Sequence, residues 1–365
     1  MIIEQMRVKP YHFPFRIPFS SANRNLRHRR GFYVQLRSAE GISGLGEAAP
    51  LPGFTWESFD DVRMELSALQ ELISKKHPTA QISGASGIRH DFLEESSPTV
   101  RFALESTLFD IFALEKNVPL NRVFSEYPSS TLSVNAAVGL MDKTQSLETI
   151  RKYIREGYTT FKLKIGRSNF REDVEIIQSL VDLMPENCHL RLDANQQWTY
   201  NEAVSNITAL SNFPVEYLEQ PIPSADIDSL KMLTDQKLVP IAADEAADTI
   251  ESIQRIFDTR AADYLILKPA FLGVTPTIRA IELAKNSGIK VVLTSGLDTI
   301  VGISVTAHIA SAFLPEMTHG LATGTLLEYS WSEPIHTIDN GRLHLSDAPG
   351  IGLPASVRTQ VFPND

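Results

Sequence analysis

From about residue 132 onward the chain repeats one pattern: a short apolar run, an amphipathic stretch, then another apolar run. The runs are LSVNAAVGL, TTFKLKIG, HLRLDAN, VEYLEQP, VPIAADEA, DYLILKPAF, IKVVLTSGL and THGLATG. Between them lie helix-like segments such as REDVEIIQSLVDLM (171–184) and IRAIELAKNSG (278–288), the latter closing on a glycine suited to a left-handed cap. Strands that alternate with helices imply parallel βαβ units. Eight of them point to an α/β fold of (β/α)8 type, a modified TIM barrel. A doubly wound sheet would carry a glycine-rich phosphate turn after an early strand, whereas KIGRSNF has a lone glycine.

Residues before this repeat read differently. MRVKPYHFPFRIPF and GFYVQLRSAEGISGLGEAAP resemble antiparallel strands with a turn at Ala39–Gly41. The loop LPGFTWESFDD follows, then a helical stretch, VRFALESTLFDIFALEKN (100–117). The tail, with GRLHLSDAPGIGL, is again strand-like and rich in turns. The expected organisation is an α+β capping domain over 1–130, joined by the 326–365 tail, against a barrel over 131–325 that carries the chemistry.

A barrel presents its chemistry at the C-terminal ends of its strands. Those ends carry Lys164, Asp193 with Asn195, Glu219, Asp244 with Glu245, Lys268 and Ser295. The intervals are 193 − 164 = 29, 219 − 193 = 26, 244 − 219 = 25 and 268 − 244 = 24, one charged group per unit at nearly equal height. Three carboxylates converging inside a barrel repel one another unless a cation neutralises them. Hard oxygen donors without His or Cys select Mg²⁺ or Mn²⁺ over zinc, and an octahedral ion keeps about three positions for water or substrate. In TTFKLKIG the residues Lys162 and Lys164 share one face of a strand, two like charges side by side.

Composition narrows the partners. With 34 Lys and Arg against 44 Asp and Glu, the formal charge of −10 argues against nucleic acid or an anionic membrane as partner. The lone cysteine, Cys188, allows no intrachain disulfide, and the N-terminus lacks the apolar core of a secretory signal, so a cytoplasmic location is expected.

The set KLKIG, LRLDANQQW, YLEQP, AADEA and LILKPAF resembles the enolase superfamily, specifically its muconate-lactonizing-enzyme subgroup. GLGEAAPLPGFTWES is similar to that family's mobile capping loop, and VRFALESTLFDIFA to the helix preceding its barrel. The resemblance implies a small-molecule carboxylate substrate as partner and abstraction of the proton α to that carboxylate, with Mg²⁺ held by Asp193, Glu219 and Asp244. Glu245 is expected to point off the opposite side of its strand, and Asn195 to support the ligands from beside Asp193. It further implies Lys164 as general base, Lys162 as a cation that tunes it, and Lys268 across the substrate as acid/base or electrostatic stabiliser.

Within the family, the mandelate-racemase branch resembles a His base on strand seven, where this chain has LTSG. Dipeptide epimerases carry an Asp-x-Asp after the last strand, which HGLATGTLLEY lacks. GEAAPLPGF, the RLDAN run, TSGLD and HGLAT resemble the o-succinylbenzoate synthase branch, a carbon–oxygen lyase of menaquinone biosynthesis. That implies Arg191 near the metal or in a buried structural ion pair, Ser295 and the Gly320 backbone for the succinyl carboxylate, and Ser20, Ser21 and Phe54 closing over the substrate. Asp298 near the strand-seven mouth is placed to hold a cation, which gives the alternative of an N-acylamino-acid racemase or dipeptide epimerase.

Overall fold

The computed structural model describes residues 1–21, 24–90, 92, 95–328 and 335–363, with the side chains of residues 17–25 and Ser86 outside that set. Strands β1 (Ile3–Ser21), β2 (Arg24–Ser38) and β3 (Ser43–Ala48) form an antiparallel sheet in that order. Its β2–β3 turn falls at the expected place, with Gly41 at φ 84° and its N–H donating to the Ser38 carbonyl. Helix α1 (Phe59–Lys76) opens on a reciprocal cap between Ser58 and Asp61. A small hairpin, β4 (Ala80–Ile82) with β5 (Ile88–His90), leads into α2 (Pro98–Glu115) and α3 (Leu120–Phe124).

Helix α2 is buried on almost every side, from Thr99 to Ala113, because β3 lies directly on it. A Cβ at Gly44 or Gly46 would stand 2.1 Å from the carbonyls of Thr107 and Ala103. GLGEA is therefore a buried strand, and only the residues from Ala49 onward form the expected capping loop.

The repeat resolves as β6 (Thr131–Val134), β7 (Ala136–Val138), α4 (Lys143–Arg155), β8 (Thr160–Lys164), α5 (Phe170–Leu183), β9 (His189–Asp193), α6 (Tyr200–Leu210) and β10 (Val215–Glu219). It continues through α7 (Ile227–Asp235), β11 (Ile241–Ala243), α8 (Ile250–Thr259), β12 (Tyr264–Leu267), α9 (Val274–Ser287), β13 (Lys290–Leu293), α10 (Ile300–Phe313) and β14 (Thr318–His319). Strands β7 to β13 make one parallel sheet in chain order. The eighth segment is short: β14 pairs with β6, and the Gly320 N–H donates to the Leu293 carbonyl beside β13. The curled sheet thus meets its own beginning through two residues rather than a full strand. Helix α9 ends at Gly288 in the left-handed conformation, as its sequence implies.

The tail divides. Strands β15 (Thr337–Asp339) and β16 (Arg342–His344) extend the β14–β6 sheet, because β6 still has a free edge there. Helix α11 (Ala355–Val361) returns to the N-terminal unit, where Arg358 makes two hydrogen bonds to Asp110 of α2 at 2.7 and 2.8 Å. Among the described residues no helix is long and apolar enough to cross a membrane.

Two buried histidines, His308 and His319, and a half-buried one, His336, sit where these parts join. His308 of α10 accepts from the Asn121 N–H at 3.2 Å. His319 accepts from Leu293 N–H through Nδ1, so its Nε2–H donates to the Leu314 carbonyl. His336 Nε2 meets the Ser304 hydroxyl. Burial pushes His308 down to about 3 and His319 and His336 to about 4. An unfolded histidine titrates near 6.5. Each folded value lies below that, so the stability these groups contribute is complete above about pH 6.5 and is lost as pH falls towards 4. The urea unfolding midpoint is expected to drop between pH 7 and pH 5, and a flat profile would contradict neutral buried imidazoles.

Candidate active site

Pairing register sets the height of the charged rim. Lys164 of β8 lies opposite Asp193 of β9, and Asp193 opposite Glu219 of β10. Asp244 follows β11 by one residue and Lys268 follows β12 by one, so five successive units deliver a charged side chain to one end of the sheet. Asp193, Glu219 and Asp244 are 2%, 0% and 7% exposed. Lysines interleave with them. Lys162 Nζ lies 2.5 Å from Glu219 and 3.0 Å from Asp193. Lys164 bonds to the Asn195 side-chain oxygen and stands 3.7 Å from Asp193. Lys268 bonds to Asp244.

Burial and neighbours pull these groups apart electrostatically. Burial disfavours the Asp193 carboxylate, but Lys162 and Lys164 more than offset this and hold it below the usual carboxylate range. Glu219 goes the other way, raised well above its ordinary value by burial and by Asp193. Burial presses the Lys162 and Lys268 ammonium groups down. The facing carboxylates, Asp193 for Lys162 and Asp244 for Lys268, reverse that and leave both raised.

Glu245 does not leave the site. Strand β11 stops at Ala243, and a tight turn over Glu245–Ala247 replaces the alternation that would have sent this side chain away. Its carboxylate meets the Asn195 amide at 3.5 Å, and burial together with Asp244 and Asp193 raises it to about 7. Asn195 reaches its position through a backbone at φ 44°.

Arg191 sits one layer below the rim, level with Lys162 and Tyr217. Its guanidinium bonds to Glu216, to the Asn135 side chain and to the Thr318 carbonyl, and lies 4.9 Å from the Tyr217 ring. Of the two roles open to Arg191, these contacts are those of a structural ion pair in the barrel floor. Ser295 shares a 2.5 Å hydrogen bond with Thr323, and Gly320 passes so close to Thr294 that a Cβ would stand 2.7 Å from its methyl. Phe54 hangs over the rim with its ring 5.9 Å from Lys268 Nζ. The side chains of Ser20 and Ser21 lie outside the described residues.

Asp298, expected to offer a cation site, is 1% exposed. It accepts from the Gly296 N–H at 3.0 Å and stands 4.0 Å from Arg29, while burial and Glu47 raise it to about 7. It faces the junction with the N-terminal sheet.

Sequence reasoning missed Gln220. This fully buried amide accepts from the backbone N–H of Asp244 at 3.0 Å and of Ala246 at 3.1 Å, and donates to the Ile222 carbonyl. It anchors the turn that carries Asp244 and Glu245. The Gln in YLEQP was visible, but nothing local distinguishes it from a surface residue.

Among the described residues no three acidic, His or Cys groups already converge as a metal-ligand set; Lys162 bridges two of the carboxylates. The donors nonetheless fit a hard divalent cation. All are carboxylate oxygens, and Glu219 Oε2 is buried without a hydrogen-bond partner. Gln220→Leu would strand two buried N–H groups, each costing about 1–3 kcal/mol. A lower thermal midpoint in calorimetry is the expected result, and an unchanged midpoint would remove Gln220 from this role.

Comparison with known proteins places the chain. A family model described as enolase C-terminal domain-like matches residues 145–357, and one described as MenC, N-terminal domain, matches residues 3–108. The L-Ala-D/L-Glu epimerase of Bacillus subtilis is 28% identical over 304 residues, covering 82% of each chain. An N-succinyl-L-Arg/Lys racemase of Bacillus cereus is 24% identical over 97% of this chain and 95% of its own. The fold matches that of a dipeptide epimerase from Methylococcus capsulatus, solved with Mg and the dipeptide L-Arg-D-Lys. Its TM-score is 0.82 at 22% identity, over 96% of this chain and 99% of that one. On the extent of the barrel match and the fold, the chain belongs to the enolase superfamily.

Proposed function

We propose that this protein is a Mg²⁺-dependent lyase that removes a proton α to a carboxylate and eliminates water, an o-succinylbenzoate synthase of menaquinone biosynthesis. The observation that carries the chemistry is the placement of Lys164 at the end of β8 and Lys268 just beyond β12. These strands stand four apart in a ring of eight, so the two amines face one another across the carboxylate rim. Asp193, Glu219 and Asp244 would hold Mg²⁺, with Asn195 and Glu245 supporting them, and Mn²⁺ suits the same donors. When bound, the ion supplies a hard Lewis acid for the substrate carboxylate.

The chain's own residues do the rest. Lys164 Nζ takes the α proton. Lys162, held as a cation by Asp193 and Glu219, keeps positive charge beside it. Lys268 presents an ammonium to the opposite ring face, where it stabilises the negative charge that spreads through the ring. In a syn elimination Lys164 then returns its proton to the departing hydroxyl. The carbon–oxygen bond breaks, water leaves, and the ring becomes aromatic. Ser295, Thr323 and the backbone at Gly320 are the proposed contacts of the succinyl carboxylate.

Two observations support dehydration over dipeptide chemistry. Residues 3–108 match the MenC N-terminal model. The stretch Gly320–Leu327 carries no acid, and Asp298 is engaged in the junction with Arg29, so neither offers the acidic pair that would hold a substrate ammonium. The second reading, an N-acylamino-acid racemase or dipeptide epimerase, draws on the relatives' own activities and on the two opposed lysines, which suit proton exchange on both faces of a carbon.

Assay of the purified protein with the hydroxycyclohexadiene carboxylate, N-succinylamino acids and dipeptides separates these readings. Aromatic product with Mg²⁺ is expected. Exclusive Cα deuterium exchange into amino-acid substrates would overturn the lyase assignment. Lys164→Ala should lower turnover by about 10²–10⁴-fold with Mg²⁺ binding intact, measured by kinetics and calorimetry together. Glu219→Gln should weaken Mg²⁺ affinity in the same titration, and an unchanged affinity would remove Glu219 from the ligand set.

A further inference from the structure

Outside the rim, a densely bonded charged group is Arg29, from the basic run LRHRRG. It is 1% exposed, and its donors reach five backbone carbonyls. Nε bonds to Leu297 at 3.0 Å. Nη1 bonds to Arg30 at 3.0 Å and Pro50 at 2.7 Å. Nη2 bonds to Ala49 and, at 3.1 Å, to Gly296. Two of these carbonyls open the capping loop and two belong to the loop after β13.

Glu47 makes the reciprocal link. From β3 it accepts the N–H groups of Thr299 and Gly302, both at 2.9 Å, and the Thr299 hydroxyl at 2.6 Å, so it caps the start of α10. Tyr11 donates to the same carboxylate. A guanidinium and a carboxylate from the N-terminal sheet thus grip the two sides of one barrel loop.

What that grip holds is an apolar roof. Leu51 and Phe54 of the capping loop pack with Leu297 of the β13–α10 loop, with Phe15 and Leu327 completing the cluster. Phe54 overhangs Lys268. Gly296 lies flat against Phe271, where a Cβ would stand 2.5 Å from the ring. That contact ties the gripped loop to the turn carrying Lys268.

We propose that Arg29 is a positioning residue for the reaction: by binding both loops at once it sets the height of the Phe54–Leu297 roof above Lys268, and with it the affinity for the apolar part of the substrate. This rests on the proton-abstraction reading of the site. The roof touches the non-reacting portion of the substrate, equally in the ground and transition states, so its displacement acts on KM more than on kcat.

The test compares Arg29→Met and Arg29→Lys with Arg358→Met, which breaks a buried clamp far from the roof. Both Arg29 variants are expected to raise KM about ten-fold with kcat within about three-fold. Hydrogen exchange should rise selectively in residues 49–57 and 296–302. Arg29→Lys keeps the charge but cannot span five carbonyls. Full recovery of KM by Lys would overturn the proposal, as would exchange raised no more selectively than in Arg358→Met. If Arg29→Met does not accumulate as folded protein, Arg29→Lys carries the same comparison. If the wild-type protein turns over no substrate in the panel, the proton-abstraction reading fails, while the exchange experiment still decides whether Arg29 holds the two loops.

Discussion

Acidic side chains buried at a single rim are the constraint on which this structure turns. Carboxylates so placed cannot coexist in a low-dielectric interior unless positive charge lies between them. The chain meets that demand with lysines from neighbouring strands: Lys162 reaches both Asp193 and Glu219, and Lys268 reaches Asp244. Asp193, with two ammonium groups nearby, is comfortable as an anion; Glu219, deeper and facing other acids, is not. The divalent cation proposed for this rim would relieve that imbalance. Strands in parallel register are what make such crowding sustainable, since each stave contributes its charge at a fixed height.

The rim is only half of the chamber. Its roof comes from the N-terminal sheet and capping loop, and the junction is itself polar and buried, built from Arg29, Glu47, Asp298 and Tyr11. Such groups contribute little net stability compared with an apolar contact of equal size. What they add is geometry. A planar guanidinium that satisfies five carbonyls admits few alternative placements of the loops that supply them, whereas the leucines and phenylalanines of the roof alone could slide. The Gly44 and Gly46 contacts on α2 serve the same end by letting β3 approach the helix backbone directly.

Much of this was legible in the chain. The apolar runs located all eight strand segments because a parallel strand buried on both faces leaves a continuous hydrophobic signature. The rim residues stood out because charge at the end of such a run is costly and recurs at one interval. Arg191 shows the limit of alternation: it turns the side chain inward with Asp193, but only the structure shows that one layer down the interior is a packed floor where Glu216 meets it. Glu245 was misread because alternation was extended one residue past the end of β11. The eighth strand pairs over only Thr318–His319, against Ser133 and Val134 of β6.

By itself the sequence determined the fold class, the family, and the order and chemical identity of the groups at the strand ends, because periodicity and residue type are local properties. Only the tertiary structure decided which charges share a partner. Asp298, open to a cationic ligand on sequence grounds, is claimed by a junction with Arg29 and Glu47, residues more than 250 positions away. Gln220 and Arg29 acquire their importance the same way. A hydrogen bond depends on distance in space, and the folds of the backbone that close such distances leave no mark on the residues between them.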